Sequence, residues 1–422
     1  MKSLSSAPHN GTATADRVVR SKNIPRSLEP VVNRWVAEGK EFYVGPENLF
    51  LFDAHKIQFL SNPDIPTAAG SWHCDTRSNG NAAGPIPELS ASQIQELAME
   101  LARHHQPTKW TLCLDYHCNY DCPMCPYHGS GYEEEEQFKD YWEKHASQKK
   151  VVTLEDAIRL IDILDQNGIK ILSIQSAGEL FLYPFWKEVA RYAHGKGMKL
   201  WGITNGSLID EKVCQILQET GFTDMRVSLD AFSYDVYSKI RSRRKEWYDR
   251  AMAAPRLLTQ HGIKVNVHFV KQDVNLHEID AFLNHWKQSP DVDSISIAAQ
   301  FVYSEDGCAN KFENDIPRSR YVHGLCTKYG NFSSWNDGTI IPCCGATPVY
   351  TDNDSHGLPK LKLNGGNFKE SLEAMNRLMS DPQSPFKKFC AKCSLYTAYS
   401  TEKKVDGWIV NITPERETWR RA

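Results

Sequence analysis

Between residues 108 and 299 the apolar positions alternate between strand-like runs and helical spacing in a regular order. Thr153 can cap a helix in which four apolar residues recur at helical spacing, Leu154, Ile158, Ile161 and Leu164. Strands are predicted over residues 110–114, 170–175, 199–204, 224–229, 264–270 and 294–299. Further helices are predicted over 184–195, 210–220, 247–261 and 276–287. Strands separated by helices in this way predict parallel βαβ units, and hence an α/β fold.

The segments on either side of this region carry less regular patterns. Residues 1–30 are rich in small polar residues, which predicts a mobile tail, and 31–107 form an extension of unassigned role. The extension includes a predicted helix over 90–104, and it either grips a substrate or leader peptide or packs over one end of the catalytic domain. An acidic insert at 129–150 predicts a solvated surface, with substrate recognition as the alternative. The remaining domains are expected at 108–304 (the α/β domain), 305–400 (cysteine-rich) and 401–422 (a C-terminal tail).

Composition narrows the class of protein. The 422 residues carry a formal net charge of −3, so no overall field favours nucleic acid as a partner. No apolar run approaches the roughly 18 residues that suggest a membrane span, and the first residues lack the apolar core of a signal peptide. Twelve cysteines without a secretion signal favour metal or redox use in a reducing cytoplasm over disulfides.

Three of those cysteines, Cys118, Cys122 and Cys125, follow the first predicted strand at the spacing C-x3-C-x2-C. On a strand-exit loop they can converge on one soft metal centre and leave a fourth position unfilled by protein. Structural zinc is the alternative, because His117 and His128 flank the loop and zinc sites usually close with four Cys or His ligands.

The cysteine triplet resembles the signature of the radical S-adenosylmethionine (radical SAM) superfamily. The resemblance covers about residues 108–400 and implies a partial (β/α)6 TIM-like barrel, whose active site is expected at the carboxyl ends of the strands. It also implies that the three thiolates hold a [4Fe–4S] cluster, with the open iron chelated by the amino and carboxylate groups of SAM. Met124 stands where the family more often has an aromatic residue, and it is expected near the adenine.

The turn after the second predicted strand matches a second family motif. Gly178 and Glu179 belong to a Ser-Ala-Gly-Glu segment similar to the family's Gly-Gly-Glu turn, although Ala177 replaces the first glycine. The resemblance implies that the backbone and the acid of this turn receive the SAM amino group. A glycine permits close backbone approach, and a carboxylate neutralises an ammonium group.

Polar residues also follow the third and fourth strands, at positions that line the SAM ribose and carboxylate in the family. These residues are Thr204, Asn205, Ser228 and Asp230. Asn266 and His268, on the fifth strand, face the barrel by alternation and are further candidates. His268 is equally compatible with a hydrogen-bonded core histidine.

A second set of cysteines lies beyond residue 305 and consists of Cys326, Cys343, Cys390 and Cys393. The first two flank Gly338 in a segment that predicts a β-hairpin over 332–343, and a helix is predicted near 368–379. Two pairs of thiols can close around a zinc ion or an iron–sulfur cluster. Behind a radical SAM barrel they resemble the Twitch/SPASM extension. The shorter Twitch version, with one auxiliary [4Fe–4S] cluster, is expected because no cysteine follows Cys393.

Five cysteines remain outside these sets. Cys308 and Cys344 can each donate a hydrogen atom to a substrate radical, which makes them the catalytic candidates, and Cys344 is also an alternative cluster ligand. A buried inert thiol is the simpler interpretation for each of them, as it is for Cys74, Cys113 and Cys214.

The resemblance implies a radical SAM oxidoreductase that reductively cleaves SAM to a 5′-deoxyadenosyl radical, which abstracts a substrate hydrogen. The unassigned N-terminal region and the auxiliary extension favour a ribosomally made peptide as substrate, for oxidation, crosslinking or epimerisation. One alternative is a dehydrogenase or epimerase of a sugar or cyclitol in natural-product biosynthesis. Another is a zinc-stabilised binding module without catalysis. An electron donor such as flavodoxin or ferredoxin is expected, whereas neither nucleic acid nor a membrane is expected as a partner.

Overall fold

The computed structural model describes a set of segments that includes most of the α/β region. These are residues 2–3, 43–44, 48–53, 56–61, 107, 109–125, 128, 151–175, 177–304, 307–312, 332–334, 338–343, 361–363, 367–380, 383–384, 393, 401–413 and 416–422. The predicted helix at 90–104 and the acidic insert at 129–150 lie outside the described residues. Within the described part of the chain, no helix has the length and apolar character needed to cross a membrane.

Four strands near the N-terminus form one antiparallel sheet. They are β1 (Lys2–Ser3), β2 (Tyr43–Val44), β3 (Asn48–Asp53) and β4 (Lys56–Ser61), hydrogen-bonded in that order. Because β1 lies within the predicted tail, at least residues 2–3 of that tail are paired with the extension that follows.

Six parallel strands form the centre of the fold, side by side in chain order. They are β5 (Lys109–Cys113), β6 (Ile171–Gln175), β7 (Lys199–Thr204), β8 (Phe222–Ser228), β9 (Lys264–Val270) and β10 (Ser294–Ala298). Their apolar residues alternate with residues that point to the other face, as in Val265, Val267 and Phe269 of β9, all of which are buried. The mixed α/β architecture with a parallel sheet, predicted from the alternating pattern, is confirmed.

Helices cross between these strands. They are α1 (Leu154–Gln166), α2 (Trp186–Gly195), α3 (Glu211–Glu219), α4 (Tyr234–Ile240), α5 (Lys245–Gln260) and α6 (Ile279–Gln288). The Thr153 side chain accepts from the Asp156 amide and caps α1, as predicted, and Asp210 and Ser233 cap α3 and α4 in the same way. Only α4 was absent from the sequence prediction. Ile161 and Leu164 of the predicted apolar stripe of α1 are fully buried in the core, as is Leu160, whereas Leu154 and Ile158 are half-buried.

Short strands beyond residue 300 extend the sheet at its β5 edge. After the hairpin β11 (Phe301–Ser304) and β12 (Gly307–Asn310), the chain forms β13 (Ser333–Ser334) and β14 (Ile340–Ile341), and β13 pairs parallel to β5. The predicted hairpin over 332–343 is thereby confirmed in its two strands. Trp110 of β5 ties the edge together, because its ring stacks on Phe332 at 5.3 Å and its Nε1 donates to Ser334 Oγ at 3.1 Å.

The opposite edge of the sheet is covered by residues from the C-terminal segment. After α7 (Phe368–Ser380), three antiparallel strands follow, β15 (Thr401–Val405), β16 (Trp408–Thr413) and β17 (Arg416–Arg421). Strand β17 pairs antiparallel with β10, so that Ala298 lies opposite Arg416. The prediction of a C-terminal tail over 401–422 is therefore wrong, because its alternating apolar residues Trp408 and Val410 are buried in this meander.

Candidate active site

A cavity of about 320 Å³ opens at the carboxyl ends of the parallel strands. Its lining includes the cysteine loop that follows β5 and residues from the ends of the other five strands, among them Gln175, Thr204, Ser228, Val270 and Ala298. This is the edge of a parallel barrel at which ligands bind. The location predicted from the sequence is therefore where the structure has its cavity.

The three cysteines of the loop all line this cavity. Cys122 is buried, and Cys118 and Cys125 are half-buried. The loop turns tightly, since the Cys125 amide donates to the Cys122 carbonyl at 2.8 Å, and the Tyr120 amide donates to Cys118 Sγ at 3.4 Å. Burial raises the pKa of the Cys118 thiol to about 12 and also raises that of Cys122. Metal binding must therefore displace protons from these thiols.

The two histidines beside the loop differ in position. The His117 side chain is 62% exposed, and its Nδ1 lies 2.7 Å from a carboxylate oxygen of Asp115, whereas His128 lines the cavity. Among the described residues, no three His, Cys, Asp or Glu side chains surround a position for a single metal ion. An iron–sulfur cluster differs in this respect, because its thiolate ligands bind different iron atoms and need not converge on one position.

Gly178 allows the turn after β6 to lie directly against the cysteine loop. A Cβ at this position would stand 2.0 Å from the His117 carbonyl oxygen and 2.8 Å from the Cys118 amide nitrogen. The contact is fixed by two backbone hydrogen bonds of 2.8 Å, from the Ala177 amide to the Asp115 carbonyl and from the Glu179 amide to the His117 carbonyl. Gly178 is therefore required for the close packing of two backbones, and it also lines the cavity.

Glu179 is a fully buried acid at the cavity wall. One carboxylate oxygen accepts from Thr204 Oγ1 and the other from the Asn205 amide, both at 2.7 Å. Burial raises the pKa of Glu179 to about 7, although these hydrogen bonds oppose the shift. The side chain thus ties the end of β6 to the end of β7, and its oxygens keep further capacity to accept a hydrogen bond.

A ring of polar side chains fixes the cysteine loop to the turn after β7. Asn205 Nδ2 donates to Asn119 Oδ1 at 2.8 Å, and Asn119 Nδ2 donates to Ser207 Oγ at 2.9 Å. Ser207 Oγ in turn donates to Asn205 Oδ1 at 2.6 Å. Asn205, predicted as a SAM contact, therefore also orients the loop that carries the three thiols.

Asp230 holds a buried arginine against the cysteine loop. Its carboxylate forms an ion pair of 2.5 Å with Arg241, and its other oxygen accepts from the Val270 amide at 2.8 Å. Arg241 lines the cavity, and its Nη1 lies 3.5 Å from Cys122 Sγ. Burial lowers the pKa of Arg241, but Asp230 and Cys122 outweigh burial and raise it above its usual range. Asp230 was predicted to line the SAM site, whereas the structure connects it to the cavity through Arg241.

Some of the other predicted residues line the cavity, and one lies deeper in the barrel. Met124, Ser228 and His268 line the cavity, whereas Asn266 is not among its lining residues. Asn266 donates to the hydroxyls of Ser294 and Ser296 and accepts from Arg226 Nε. It therefore belongs to a polar layer beneath the cavity.

The second cysteine set is described only in part. Cys343 and Cys393 are half-buried and pack against the main hydrophobic core. Cys326, Cys344, Cys390 and Cys74 lie outside the described residues, as does the side chain of Cys308. Cys113 and Cys214 fit the expectation of inert thiols, since burial raises the pKa of each to about 12.

The residues around the cavity fit the cofactors that the cysteine triplet implies. Three thiols supply the donor set for an iron–sulfur cluster, and a buried carboxylate, Glu179, stands ready to accept from an ammonium group. Sequence reasoning missed Arg241, Asn119, Ser207 and Tyr120. Arg241 had no signal of its own, because it stands in the run Arg241-Ser-Arg-Arg244, which resembles a solvated basic segment.

Comparison with known proteins agrees with this arrangement. Residues 116–285 match the model of the radical SAM superfamily. The antilisterial bacteriocin subtilosin biosynthesis protein AlbA of Bacillus subtilis (strain 168) is 25% identical over 202 residues, which cover 45% of this chain and 41% of that protein. The Fe-coproporphyrin III synthase of Methanosarcina barkeri (strain Fusaro) is 32% identical over 133 residues, or 32% of this chain and 33% of the relative. The matched region thus covers well under half of either relative.

Among solved structures, Streptococcus suis SuiB matches with a TM-score of 0.48 and 13% identity over 69% of this chain and 73% of that chain. SuiB bound to the precursor peptide SuiA matches with a TM-score of 0.45 and 14% identity, over 76% of this chain and 84% of that chain. The match to the family model begins two residues before Cys118 and ends beyond β9, so it includes the cysteine loop, Glu179 and Arg241. Residues 116–285 of the chain accordingly form a radical SAM superfamily domain.

Proposed function

We propose that this enzyme is an oxidoreductase that modifies a ribosomally synthesised peptide by oxidation, crosslinking or epimerisation. The observation that carries the proposal is the cavity of about 320 Å³ in which three cysteine thiols and the buried Glu179 carboxylate meet. When bound there, the cluster and SAM supply a radical that abstracts a hydrogen atom from the substrate.

Different residues of the cavity would hold the cluster and SAM. Cys118, Cys122 and Cys125 would hold the cluster, and Glu179 would accept hydrogen bonds from the SAM amino group. Gly178 and the ring formed by Asn119, Asn205 and Ser207 keep the cysteine loop in place. Met124, Thr204 and Ser228 remain candidates for contacts with the rest of SAM. The apolar walls exclude water from a reactive radical.

One relative favours a peptide as substrate. It is named as a bacteriocin biosynthesis protein and matches 45% of this chain, which supports a role in natural-product biosynthesis.

The second cysteine set is proposed to bind an auxiliary [4Fe–4S] cluster through Cys326, Cys343, Cys390 and Cys393. The half-buried positions of Cys343 and Cys393 beside the core support this assignment. When bound, such a cluster would supply one-electron redox chemistry, and Cys308 or Cys344 would be the alternative, as donors of a hydrogen atom to a substrate radical. A reducing cytoplasm and a donor such as flavodoxin or ferredoxin suit this chemistry.

The radical chemistry is tested by anaerobic reconstitution followed by reductive SAM cleavage. We expect about eight irons per chain if both [4Fe–4S] clusters form, and about four in a Cys118/Cys122/Cys125→Ala triple variant. Only the wild-type protein should release 5′-deoxyadenosine. One bound zinc without 5′-deoxyadenosine would leave the zinc-stabilised binding module as the better description.

The substrate class needs its own measurement. Synthetic peptides corresponding to the short reading frames beside the gene are incubated with reconstituted enzyme, SAM and reductant, and their masses are determined. A mass change that depends on SAM and on the three cysteines supports the proposal for oxidation or crosslinking. Epimerisation leaves the mass unchanged, so the same reaction is repeated in deuterated water to detect hydrogen exchange. SAM cleavage without any labelled or mass-shifted peptide contradicts it.

A further inference from the structure

One face of the sheet is basic on three of its strands, β8, β9 and β17. Arg226 lies on β8, His268 on β9 and Arg416 on β17, and these three residues are called the cationic wall below. The strand register brings these residues to one region of the sheet. His268 of β9 pairs with Ser228 of β8, which lies two residues after Arg226. On the other side of β9, Ala298 of β10 pairs with Val270 of β9 and with Arg416 of β17. His268 interacts electrostatically with both arginines.

The positive charge of the wall is not balanced within the described part of the chain. Arg226 Nε donates to the neutral Asn266 amide at 3.1 Å, and no carboxylate there forms an ion pair with Arg226 or Arg416. Arg416 Nε and His268 Nδ1 are buried without a hydrogen-bond partner among these residues. Burial and Arg416 lower the pKa of Arg226 to about 9, which leaves it charged at neutral pH.

Among the described residues, the acids near the wall are engaged elsewhere or form no ion pair with it. Asp230 already pairs with Arg241, so that neighbouring cation needs no further counter-charge. Glu417 follows Arg416 directly, but successive strand residues point to opposite faces, and Glu417 accepts a hydrogen bond from the Trp419 indole. Asp224 lies two residues before Arg226 on the same strand face, and within the described residues it forms no ion pair.

An arrangement of this kind destabilises a protein unless a ligand completes it. Interiors of parallel barrels are usually filled with Val, Ile and Leu, whereas this one has Asn266, Ser294 and Ser296 around its arginines. Arg226 and Arg416 are half-buried, so each guanidinium has lost part of its water without gaining an anion, which is costly. His268 lines the cavity that contains the cysteines, whereas Arg226 and Arg416 are not among its lining residues, so an anionic group would reach them past His268.

We propose that the cationic wall binds an anionic group of the substrate, with a carboxylate as the expected chemistry. Guanidinium groups match a carboxylate in shape and charge, and two of them flank His268. The identity of the substrate rests on the proposed function. If the substrate is a peptide, this group is an acidic side chain or a terminal carboxylate of that peptide. The SAM carboxylate offers the same chemistry, but Arg241 lies beside Cys122 and is the cation closest to the cluster ligands.

Anion binding is tested directly on the anaerobically reconstituted protein, with radiolabelled inorganic sulfate as the probe. Equilibrium dialysis compares wild type with Arg226→Gln and Arg416→Gln. Arg256→Gln, an exposed residue of α5, is the control for loss of one positive charge. We expect saturable binding of one sulfate per chain, weakened at least about tenfold in both wall variants and unchanged in the control, because each loses a charge-assisted hydrogen bond. Added SAM should leave the bound sulfate in place.

Other outcomes overturn the proposal. Absence of saturable sulfate binding, or equal binding by the Arg416→Gln variant, removes the site, and displacement of sulfate by SAM assigns it to the cofactor. Thermal unfolding without added anions provides a second readout. Removing a half-buried charge that has no counter-charge among the described residues should leave the unfolding temperature of the wall variants unchanged or raised, whereas a fall relative to Arg256→Gln indicates a structural role. Sulfate binding requires no SAM cleavage, so failure of the proposed function and failure of the anion site are distinguishable.

Discussion

Replacing Gly178 by alanine tests the contact between the turn after β6 and the cysteine loop. The added Cβ would stand 2.0 Å from the His117 carbonyl oxygen, about 1.4 Å closer than ordinary van der Waals contact, which begins at 3.4 Å. All three nearest atoms belong to the backbone, so no side-chain rotation can relieve the overlap. The two chain segments must therefore separate.

The magnitude follows from the overlap and from the hydrogen bonds that depend on the contact. Overpacking of this kind costs about 1–3 kcal/mol. Separation also weakens the bonds from the Ala177 and Glu179 amides to the cysteine loop, each worth about 1 kcal/mol. We expect Gly178→Ala to lose roughly 2–5 kcal/mol of unfolding free energy and most of the iron at the cluster site, since Cys118 adjoins the displaced carbonyl.

Gly195→Ala is the matched control. This residue is the last of α2, and an added Cβ there meets no atom within 4 Å. Alanine should therefore leave stability unchanged or raise it by up to about 1 kcal/mol. Urea unfolding of the metal-free proteins and iron content after reconstitution provide the two measurements. If Gly178→Ala matches Gly195→Ala in both, the cysteine loop does not depend on this contact.

Three further predictions concern buried polar groups. Asp230→Asn should lower the unfolding free energy by about 3–5 kcal/mol, because Arg241 loses its buried counter-charge. Asp230→Asn with Arg241→Met should recover most of this loss in urea unfolding, because it removes the unpaired cation and keeps an acceptor for the Val270 amide. Equal stability of Asp230→Asn and wild type contradicts this prediction. The pKa of His268 lies well below its usual value, chiefly through burial. As pH falls below about 6.5, His268 therefore binds a proton in the unfolded chain but not in the folded chain. The unfolding free energy should fall by up to about 1.4 kcal/mol per pH unit in this range, and the His268→Asn variant should show a smaller slope. Tyr120→Phe should lower the unfolding free energy by about 1 kcal/mol, because the buried Tyr237 hydroxyl loses its hydrogen-bond partner at 2.9 Å. A double-mutant cycle with Tyr237→Phe should show a coupling energy of similar size.

The parallel strands were predictable because buried strands consist of short runs of apolar residues, which can be recognised in the sequence. β7 and β9 match the predicted ranges, and the other four differ by one or two residues at either end. The meander β15–β17 was missed although Asp406-Gly407 is a hairpin signal, and both residues have the positive φ that such a turn requires. The charged residues around it concealed alternating buried positions at Trp408, Val410 and Trp419.

The site was predictable where one residue type is chemically required, and less so where the requirement is a pairing across the fold. The thiols and Glu179 follow from local motifs. The partnership of Asp230 with Arg241, or of Asn119 with Ser207 across 88 positions, depends on which loops meet at the end of the sheet. Spacing along the chain contains no such information, so the sequence indicated Asp230 without its partner Arg241.

The antiparallel strand β17 has a consequence for the order in which the protein is made. A ribosome synthesises all six parallel strands and the cysteine loop before it reaches residues 416–421. Until then β10 presents an unpaired edge, which is the kind of surface on which nascent chains associate with one another. The same late segment carries Arg416. A nascent chain therefore has its cluster-binding loop before β17 covers the edge of β10 and before Arg416 completes the cationic wall.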